Sequence, residues 1–513
     1  MGPKQPDELL LVDDDIVVDN ENILCINDSS IYSGGGIPNE YHLSKEEAEY
    51  AVESLRELLR FQTVSVTAPE SGAYRKCAEY LIAELSSLSC CLDNVHILEE
   101  SPPDSPVVVA RWRSWNSDAD VMPVILLNSH YDVVPAVVED WTVPPFEGVR
   151  RDGKIYGRGV QDMKSVCIQY IEAIRKLHTS LQFTPRRHVY LTFVPDEEVG
   201  GAGMAAFLSS KLYRKTILSR HNGIALALDE GLASETEALS VFYGERVPWW
   251  INVEARGRTG HGSRFIEHTA IEQLIDLCNK ALAFRNNQRD LLHGYQCSSD
   301  SRNCSHAVAA ANRRQKKKMK QTTLGDVTTL NITSLQAGVK VADTFVHNVV
   351  PPTASCAMDI RISPKTHPSE IRTMLDGWCR ECSTSEGELS WAFVEGNGND
   401  DTMGHNLTSM DPIINPWYAV FLEALNDEMN IEVEPEVFPA ATDSRFLRAL
   451  GIRALGFSPM RNSEILLHEN DEYIKESVFV EGCSIMACLI KRLASQGPDI
   501  DILAANAQAE GDP

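Results

Sequence analysis

The chain contains 513 residues, which is too long for one hydrophobic core and predicts two or three domains. Apolar residues make up 43% of the sequence, as in ordinary globular proteins, and no apolar run approaches the roughly 18 residues that cross a membrane. The formal net charge of -26 argues against a nucleic-acid partner, because proteins that bind a phosphate backbone need basic faces.

The cysteines and the amino terminus both bear on the cellular compartment. The 13 cysteines are scattered, odd in number and include the adjacent Cys90 and Cys91, so they do not suggest a disulfide framework. Cys379 and Cys382 have a CxxC spacing, but without a second pair they favour free thiols over a zinc knuckle. The first residues lack a cationic segment followed by an apolar one, so we expect no secretory signal. Together these features predict a cytoplasmic protein with no membrane partner.

The chain is expected to become ordered only after an acidic, irregular start. Residues 1–43 predict a disordered leader. At Ser44 the sequence S-K-E-E has the form of a capping box, which predicts a helix through Arg60.

Helical and strand patterns then alternate along the chain. A helical pattern at residues 73–88 is followed by apolar strand patterns at 107–112 and 124–127. This alternation predicts an α/β layer architecture, and we assign residues 44–245 to the first half of an α/β domain.

The second of these strands ends in NSHYDVVP, which contains His130 and Asp132. The two residues are two positions apart, so they face the same side of an extended chain. Imidazole is a natural zinc ligand, and a nearby carboxylate can orient it. A hydrogen-bonded structural histidine would give the same pattern, so this motif alone does not identify a metal site.

Acidic residues also end the next predicted elements. Asp162, in YGRGVQDMK, could either cap the helix that begins there or share its two oxygens between two cations. Glu197 and Glu198 follow one apolar strand pattern, and Glu230 follows the next. Adjacent carboxylates point in different directions, so one can bind a cation while the other stays free to move protons. For the pair taken alone, a solvated acidic turn is the alternative.

Beyond these acids the pattern changes to alternating apolar and polar residues, first in VPWWINVEARG at 247–257. We assign residues 246–395 to an inserted α+β domain, residues 396–497 to the second half of the α/β domain, and residues 498–513 to a frayed tail. The insertion contains a cationic run within residues 293–323, which predicts a mobile basic loop, with a nuclear-import or anionic-surface patch as the alternative.

Taken together, the motifs carry a resemblance to a known family. They are, in order, NSHYDVVP, GRGVQDMK, VPDEEVGG, ALDEG, GRTGHGSRF, HNVVP, FPAATDSRF, LGFSP and LLHENDE. This series resembles the metal-dependent aminoacylases, the N-acyl-L-amino-acid amidohydrolases of the dinuclear-zinc peptidase and deacetylase superfamily. The resemblance implies a zinc-peptidase-like catalytic domain with a central mixed sheet, interrupted by a lid and dimerisation domain, and therefore a homodimer.

Matched residue by residue, the resemblance implies two Zn2+ ions per subunit. His130 and Glu230 would hold one ion, with the other bound by Glu198 and His468, and Asp162 would bridge the two. Glu197 would stay unligated as the general base. Asp132 would support the imidazole two positions before it.

The resemblance also assigns residues to the substrate. A loop histidine such as His261 is more often structural or solvated, but the match makes it an oxyanion-stabilising residue delivered to the neighbouring subunit's site. Asn348 and Arg361 are matched by position, and the guanidinium could pair either with a substrate carboxylate or in an internal salt bridge. Thr442 would contact the same carboxylate.

These matches predict zinc-dependent hydrolysis of a small N-acyl L-amino acid to a carboxylate and a free L-amino acid. A dipeptidase, a carboxypeptidase or another deacylase of the same superfamily is one alternative, with the same water chemistry and a different pocket. A catalytically silent binding protein on this fold is another. Tyr131, between two matched residues, departs from the family's pattern, and its ring could narrow the substrate pocket.

Overall fold

The computed structural model describes residues 36–294, 322–342, 344–385, 387–394 and 405–510. The strands are β1 (Leu92–Ile97), β2 (Val108–Trp112), β3 (Val124–His130), β4 (Val149–Arg151), β5 (Lys154–Tyr156), β6 (Val189–Val194), β7 (Ile224–Asp229), β8 (Leu239–Glu245), β9 (Val247–Arg256), β10 (Gly260–His261), β11 (Thr329–Ala337), β12 (Lys340–Val341), β13 (Thr344–Phe345), β14 (Val349–Val350), β15 (Thr353–Ile362), β16 (Glu388–Phe393), β17 (Val433–Phe438), β18 (Ala454–Gly456) and β19 (Tyr473–Lys475). The α-helices are α1 (Lys45–Leu59), α2 (Ala68–Ser71), α3 (Ala73–Ser86), α4 (Ser165–Arg175), α5 (Ala202–Ser209), α6 (Ala270–Leu292), α7 (Pro368–Cys382), α8 (Pro416–Leu422), α9 (Ser444–Ala449), α10 (Glu476–Ala494) and α11 (Asp499–Glu510).

An eight-stranded mixed sheet forms the centre of the larger domain, with the strand order β1-β2-β6-β3-β7-β18-β8-β17. β3 runs parallel to both β6 and β7. β18 and β17, from the second half of the chain, pair in parallel with β7 and β8 from the first half. The two halves therefore complete one sheet, and the segment between them is an insertion.

Side chains of β3 alternate between two apolar cores on opposite faces of this sheet. Ile125 and Leu127 pack with helices α1, α3, α4 and α10, whereas Val124 and Leu126 pack with α5 and α9. All seven residues of the strand are buried, which is the pattern of a parallel strand covered on both faces. The predicted α/β architecture with a central mixed sheet is confirmed.

The insertion has a separate antiparallel sheet with the strand order β11-β15-β9-β16. One face packs on helices α6 and α7 around a third core. Along β9 the side chains of Trp249, Ile251 and Val253 are buried, whereas Trp250 between them is 44% exposed. The two-residue period of this segment thus reflects a sheet that is covered on one face only.

Helix α1 begins as its sequence predicts. Ser44 Oγ accepts the backbone N–H of Glu47 at 3.2 Å, and Glu47 Oε2 accepts the backbone N–H of Ser44 at 2.6 Å, which is a complete capping box. The predicted leader is nevertheless too long by several residues. Ile37 and Tyr41 are buried in the helical core, and the Tyr41 hydroxyl donates to Glu428 at 2.8 Å. Their apolar surface anchors residues 36–43, while residues 1–35 lie outside the described chain.

The predicted frayed tail is instead largely helical. Ile500 and Ala504 are buried one turn apart on α11, so this helix has an apolar face that packs on the larger domain. Most of the predicted basic loop, residues 295–321, lies outside the described chain. Within the described residues, no helix combines the length and the apolar character needed to cross a bilayer.

Candidate metal centre

The carboxyl ends of three neighbouring strands bring most of the predicted ligands to one edge of the large sheet. β3 ends at His130, β6 is followed closely by Glu197 and Glu198, and β7 is followed by Glu230. β6, β3 and β7 are adjacent and parallel, so their ends lie side by side. The carboxyl edge of an open α/β sheet is where such folds build their sites.

Asp162 lies between two imidazoles. Its Oδ1 is 3.0 Å from His130 Nε2, and its Oδ2 is 3.3 Å from His468 Nε2. Glu230 Oε2 lies 3.4 Å from the same His130 nitrogen, and Glu198 Oε2 lies 3.2 Å from the same His468 nitrogen. The structure therefore brings all five predicted ligands together in one place.

Two groups of three possible ligand atoms result. The atoms in each group lie within 4.8 Å of one another, and the groups are His130, Glu197 and Glu230 on one side and Asp162, Glu198 and His468 on the other. Glu197, which the sequence predicted to be unligated, thus lies within 4.8 Å of the ligand atoms of His130 and Glu230.

The site is buried except at His468, whose side chain is 45% exposed and marks the opening to solvent. Hydrogen bonds to Asp162 and Glu198 raise the pKa of His468 to about 10. Burial opposes a charge on His130, but contacts with Asp132 and two further carboxylates outweigh it and raise the pKa of that imidazole well above its usual value. The carboxylates thus stabilise the cationic form of both imidazoles.

Three glutamates of the site resist ionisation. Burial is the first cause that raises the pKa of Glu197, Glu198 and Glu230, and a neighbouring carboxylate is the second. Buried like charges are costly unless cations balance them. Divalent ions held by imidazole nitrogen and carboxylate oxygen would supply that balance, so the donor set fits a dinuclear metal centre.

Asp132 connects the ends of β3 and β6. Its carboxylate accepts the backbone N–H groups of Glu197 at 3.1 Å and Glu198 at 3.2 Å, and the hydroxyl of Ser65 at 2.9 Å. His130 Nδ1 lies 3.4 Å from the same carboxylate. Besides its predicted contact with the imidazole, Asp132 therefore fixes the turn that carries the paired glutamates, which the sequence did not indicate.

Tyr131 lies in the core rather than in the site. Its side chain is fully buried, its ring meets that of Tyr74 edge-on at 5.4 Å, and its hydroxyl donates to the Pro106 carbonyl at 2.5 Å. A ring with no exposed surface cannot line an open substrate pocket. Tyr131, although it departs from the family's pattern, therefore does not narrow the substrate pocket.

The motif FPAATDSRF supplies two charged neighbours that the sequence reading missed. Arg445 Nη1 lies 3.6 Å from Glu197 Oε1. Asp443 is buried, and neither of its carboxylate oxygens has a hydrogen-bond partner among the described residues. Burial, and then the nearby Asp229, raise the pKa of Asp443 to about 7. Two charged residues in a turn that otherwise consists mainly of small residues were the sequence signal that could have indicated their role.

Glu472 was also missed, although it lies in the motif LLHENDE. It is buried, and its carboxylate accepts Arg158 Nη1 at 2.9 Å and the backbone N–H groups of Gly159 at 2.9 Å and Gln161 at 2.7 Å. Arg158 Nη2 in turn donates to the His468 carbonyl at 3.2 Å. This network joins the segment before Asp162 to the turn that carries His468.

Two of the other predicted residues lie on the inserted domain. β10, which contains His261, pairs with β14, and the Gly262 N–H donates to the Asn348 carbonyl at 2.8 Å, so these two segments come together. His261 is exposed, and its Nδ1 lies 2.7 Å from Ser263 Oγ. His261 belongs to neither of the two ligand groups of the acidic centre.

The remaining predicted substrate contacts have partners within the chain. Arg361 pairs with both oxygens of Asp359, at 2.7 Å and 3.0 Å, which is the internal salt bridge considered as an alternative. The hydroxyl and the backbone N–H of Thr442 each donate to Glu245 at 2.9 Å.

A mixed sheet covered on both faces, with two imidazoles and four carboxylates at its carboxyl edge, defines the class as an α/β protein with a candidate dinuclear metal centre. The sequence names the family. Residues 126–492 match the model of peptidase family M20/M25/M40, and the chain therefore belongs to that family.

Known relatives agree with the family and with the resemblance to aminoacylases. Aminoacylase-1 of Dictyostelium discoideum is 42% identical over 73% of this chain and 83% of its own length. Aminoacylase-1 of Sus scrofa is 38% identical over 88% of this chain and 97% of its own length. The predicted resemblance is confirmed.

Solved structures agree on the fold. A di-peptidase from Saccharomyces cerevisiae superposes with a TM-score of 0.58 at 16% identity, covering 88% of this chain and 97% of its own. Human carnosine dipeptidase 1 gives a TM-score of 0.58 at 16% identity, covering 89% of this chain and 99% of its own. At this identity the comparison establishes the shared fold alone.

Proposed function

We propose that this chain is a metal-dependent aminoacylase that hydrolyses N-acyl L-amino acids to a carboxylate and a free L-amino acid. The aminoacylase-1 relatives, matched over nearly their whole length, support this substrate class. The observation that carries the proposal is the position of Asp162, whose two oxygens face two different imidazoles. A carboxylate placed in this way can be shared by two cations.

Two Zn2+ ions are the proposed cofactors. His130 and Glu230 would hold one ion, Glu198 and His468 the other, and Asp162 would be shared. Zinc suits this set because it binds both imidazole nitrogen and carboxylate oxygen. When bound, the ions supply Lewis acidity, which polarises an amide carbonyl and makes water more acidic.

Glu197 is the proposed general base. Burial, and then the carboxylate of Glu230, raise its pKa well above the usual value of a glutamate. A carboxyl group with a raised pKa can accept a proton from the attacking water and return it to the leaving amine. Arg445, 3.6 Å away, is placed to orient the carboxylate between these two steps.

A homodimer is proposed to complete the site. His261 is exposed on the inserted domain, so the domain of a second copy could bring this side chain to the substrate carbonyl and stabilise the oxyanion. The same domain exposes Trp250 and Leu335, which are 44% and 63% accessible. A second copy docked on this domain would bury these apolar side chains.

Asn348, Arg361 and Thr442 remain the proposed substrate contacts. For the last two, a substrate carboxylate would have to compete with Asp359 and Glu245. A cytoplasmic location is proposed on the free cysteines of the described chain, which are typical of a reducing compartment.

Hydrolysis of N-acetylmethionine, measured against a panel of dipeptides, tests the activity. We expect the higher kcat/KM for the N-acetyl substrate. The opposite order would identify a dipeptidase or carboxypeptidase on the same fold, and equal inactivity on all substrates would favour a silent binding protein.

The paired glutamates offer a matched test of the site. We expect Glu197→Gln to keep both ions and to lower kcat by about 100-fold or more, because proton transfer by a positioned carboxylate contributes on that scale. Glu198→Gln should instead lose metal, since its amide is a weaker ligand. Elemental analysis and turnover of both variants measure this, and loss of an ion from Glu197→Gln would show that Glu197 is a ligand.

A further inference from the structure

A third group of possible metal ligands lies at the far end of α4 from the acidic centre. Cys90 and Cys91 lie between α3 and β1, and His178 lies in the turn after α4. Their two sulfur atoms and one imidazole nitrogen all lie within 4.8 Å of one another. At the helical rise per residue, the intervening chain separates His178 from Asp162 by about 20 Å. The group is therefore separate from the acidic centre.

We propose that Cys90, Cys91 and His178 form a second metal site, which binds a borderline or soft cation, with Zn2+ as its ion. Thiolate and imidazole are the ligands that such cations prefer. Three protein ligands leave the fourth position of a tetrahedral ion open to water or to a small exchangeable ligand.

Contacts around the site fix the spacing of its ligands. Arg175, the last residue of α4, donates through Nη1 to Ser87 Oγ at 3.0 Å and through Nη2 to Glu84 Oε2 at 3.3 Å. These bonds tie the end of α4, and with it His178, to the end of α3 just before the two cysteines. One cysteine is exposed and the other two ligands are half-buried, so an ion can enter from solvent.

Binding at this site requires the loss of protons. Burial, and then the adjacent Cys90, raise the pKa of the Cys91 thiol to about 12, although the nearby Arg175 favours its thiolate. Since a metal ion competes with the proton for the sulfur, the affinity of the site rises with pH.

Another group of possible ligands on the larger domain, formed by Asp120, His188 and His221, does not offer the same chemistry. His188 Nδ1 accepts the backbone N–H of Ser114 at 3.0 Å, so its Nε2 carries a hydrogen that it donates to Asp120 at 3.1 Å. A ring with both nitrogens engaged in this way has no lone pair for a cation. His221, the third member of that group, would be the only imidazole left to bind.

Cadmium separates the proposed site from the acidic centre. A cadmium–thiolate bond gives an ultraviolet charge-transfer band, which histidine and carboxylate ligands cannot give. Full-length protein titrated with CdCl2 should develop this band with one ion per chain. Cys90→Ser/Cys91→Ser should lose the band, whereas a control, Cys297→Ser/Cys304→Ser, should keep it.

The imidazole is tested separately. His178→Asn should keep both thiolates but bind cadmium about 10-fold more weakly or worse, since even partners outside the ligand shell contribute that much. Because cadmium binds thiolate more tightly than zinc does, Zn2+ in large excess should displace cadmium and abolish the band. Circular dichroism and turnover establish that each variant is folded.

The proposal is overturned by a band of wild-type size in Cys90→Ser/Cys91→Ser, or by unchanged cadmium affinity in His178→Asn. Failure of Zn2+ to compete would overturn the assignment of zinc. The readout reports sulfur ligands alone, so it stands whether or not the chain is an aminoacylase.

Discussion

The pKa of a buried imidazole depends on its neighbours, as two histidines of the large sheet show. His130 lies at the carboxyl end of β3, and His221 lies just before the first residue of β7. Around His130, three carboxylates outweigh burial and raise its pKa. His221 is also fully buried, but its Nδ1 donates to the backbone carbonyl of Asp120 at 2.9 Å, and its ring lies 4.8 Å from that of His188. Burial therefore prevails there and lowers the pKa of His221 to about 4.

We expect His221 to destabilise the protein in acid. An unfolded histidine binds a proton near its usual pKa of 6.5, whereas folded His221 does so only near 4. Between these values the unfolded state binds more protons, so the free energy of unfolding falls as the pH falls, by about 2 kcal/mol at about pH 5.

Urea unfolding near neutral pH and in mild acid measures this effect. His221→Gln and His221→Phe do not titrate there, so each should show an acid loss smaller than that of the wild type by that amount. Equal acid losses in all three proteins would contradict the prediction.

At the scale of elements, the sheet aligns the three strands that supply His130, Glu198 and Glu230, but Asp162 and His468 lie outside its strands and need other support. Glu472, just before β19, provides it through Arg158 and through the backbone N–H groups of Gly159 and Gln161. One buried carboxylate thus holds two segments that are far apart in sequence at the spacing that the acidic centre requires.

We therefore expect Glu472→Gln to weaken metal binding without removing a ligand. An amide cannot accept all three donors and brings an N–H group against them, so the two loops should lose their fixed spacing. Metal affinity, measured by competition with a chelator, should fall by about 10-fold to 100-fold. Glu469→Gln, an exposed neighbour in the same turn, is the control. Similar metal affinities for the two variants would show that the Glu472 network does not set the spacing of the metal ligands.

At the scale of the whole molecule, helix α11 from the second half of the chain packs against a buried residue from the first half of the larger domain. Arg187, just before β6, is fully buried and donates to both oxygens of Asp501 on α11, at 3.1 Å and 3.3 Å. It also donates to the Pro123 carbonyl and stacks 4.6 Å from the ring of Trp417 on α8. The carboxyl-terminal helix therefore balances a charge buried beneath the first half of the sheet.

Asp501→Asn should lower the free energy of unfolding by about 3 kcal/mol, because it leaves the buried guanidinium of Arg187 without its counter-charge. Asp499 is an exposed residue at the start of the same helix, so Asp499→Asn should change the free energy of unfolding by no more than about 0.5 kcal/mol. Thermal or urea unfolding of the two variants compares them directly. A small effect of Asp501→Asn would show that the backbone carbonyls around Arg187 stabilise its buried charge without a carboxylate.

Local patterns predicted well wherever a residue's partner lies nearby in sequence. The capping box at Ser44, the two-residue period of β9 and the acids that follow β6 and β7 were all visible in short windows. The tail was misjudged because the apolar face of α11 is narrow, and Glu472, Asp443 and Arg445 were missed because their partners lie in distant segments.

The sequence by itself determined the family and the α/β class, and through the family resemblance it predicted the five proposed ligands, since motif residues and periodicity are local properties of the chain. Only the tertiary structure decided that Asp162 faces two imidazoles, that Glu197 lies in one group with His130 and Glu230, and that Arg361 already has a partner. Those facts depend on distances between segments that the sheet and its buried ion pairs bring together, and no local pattern encodes such distances.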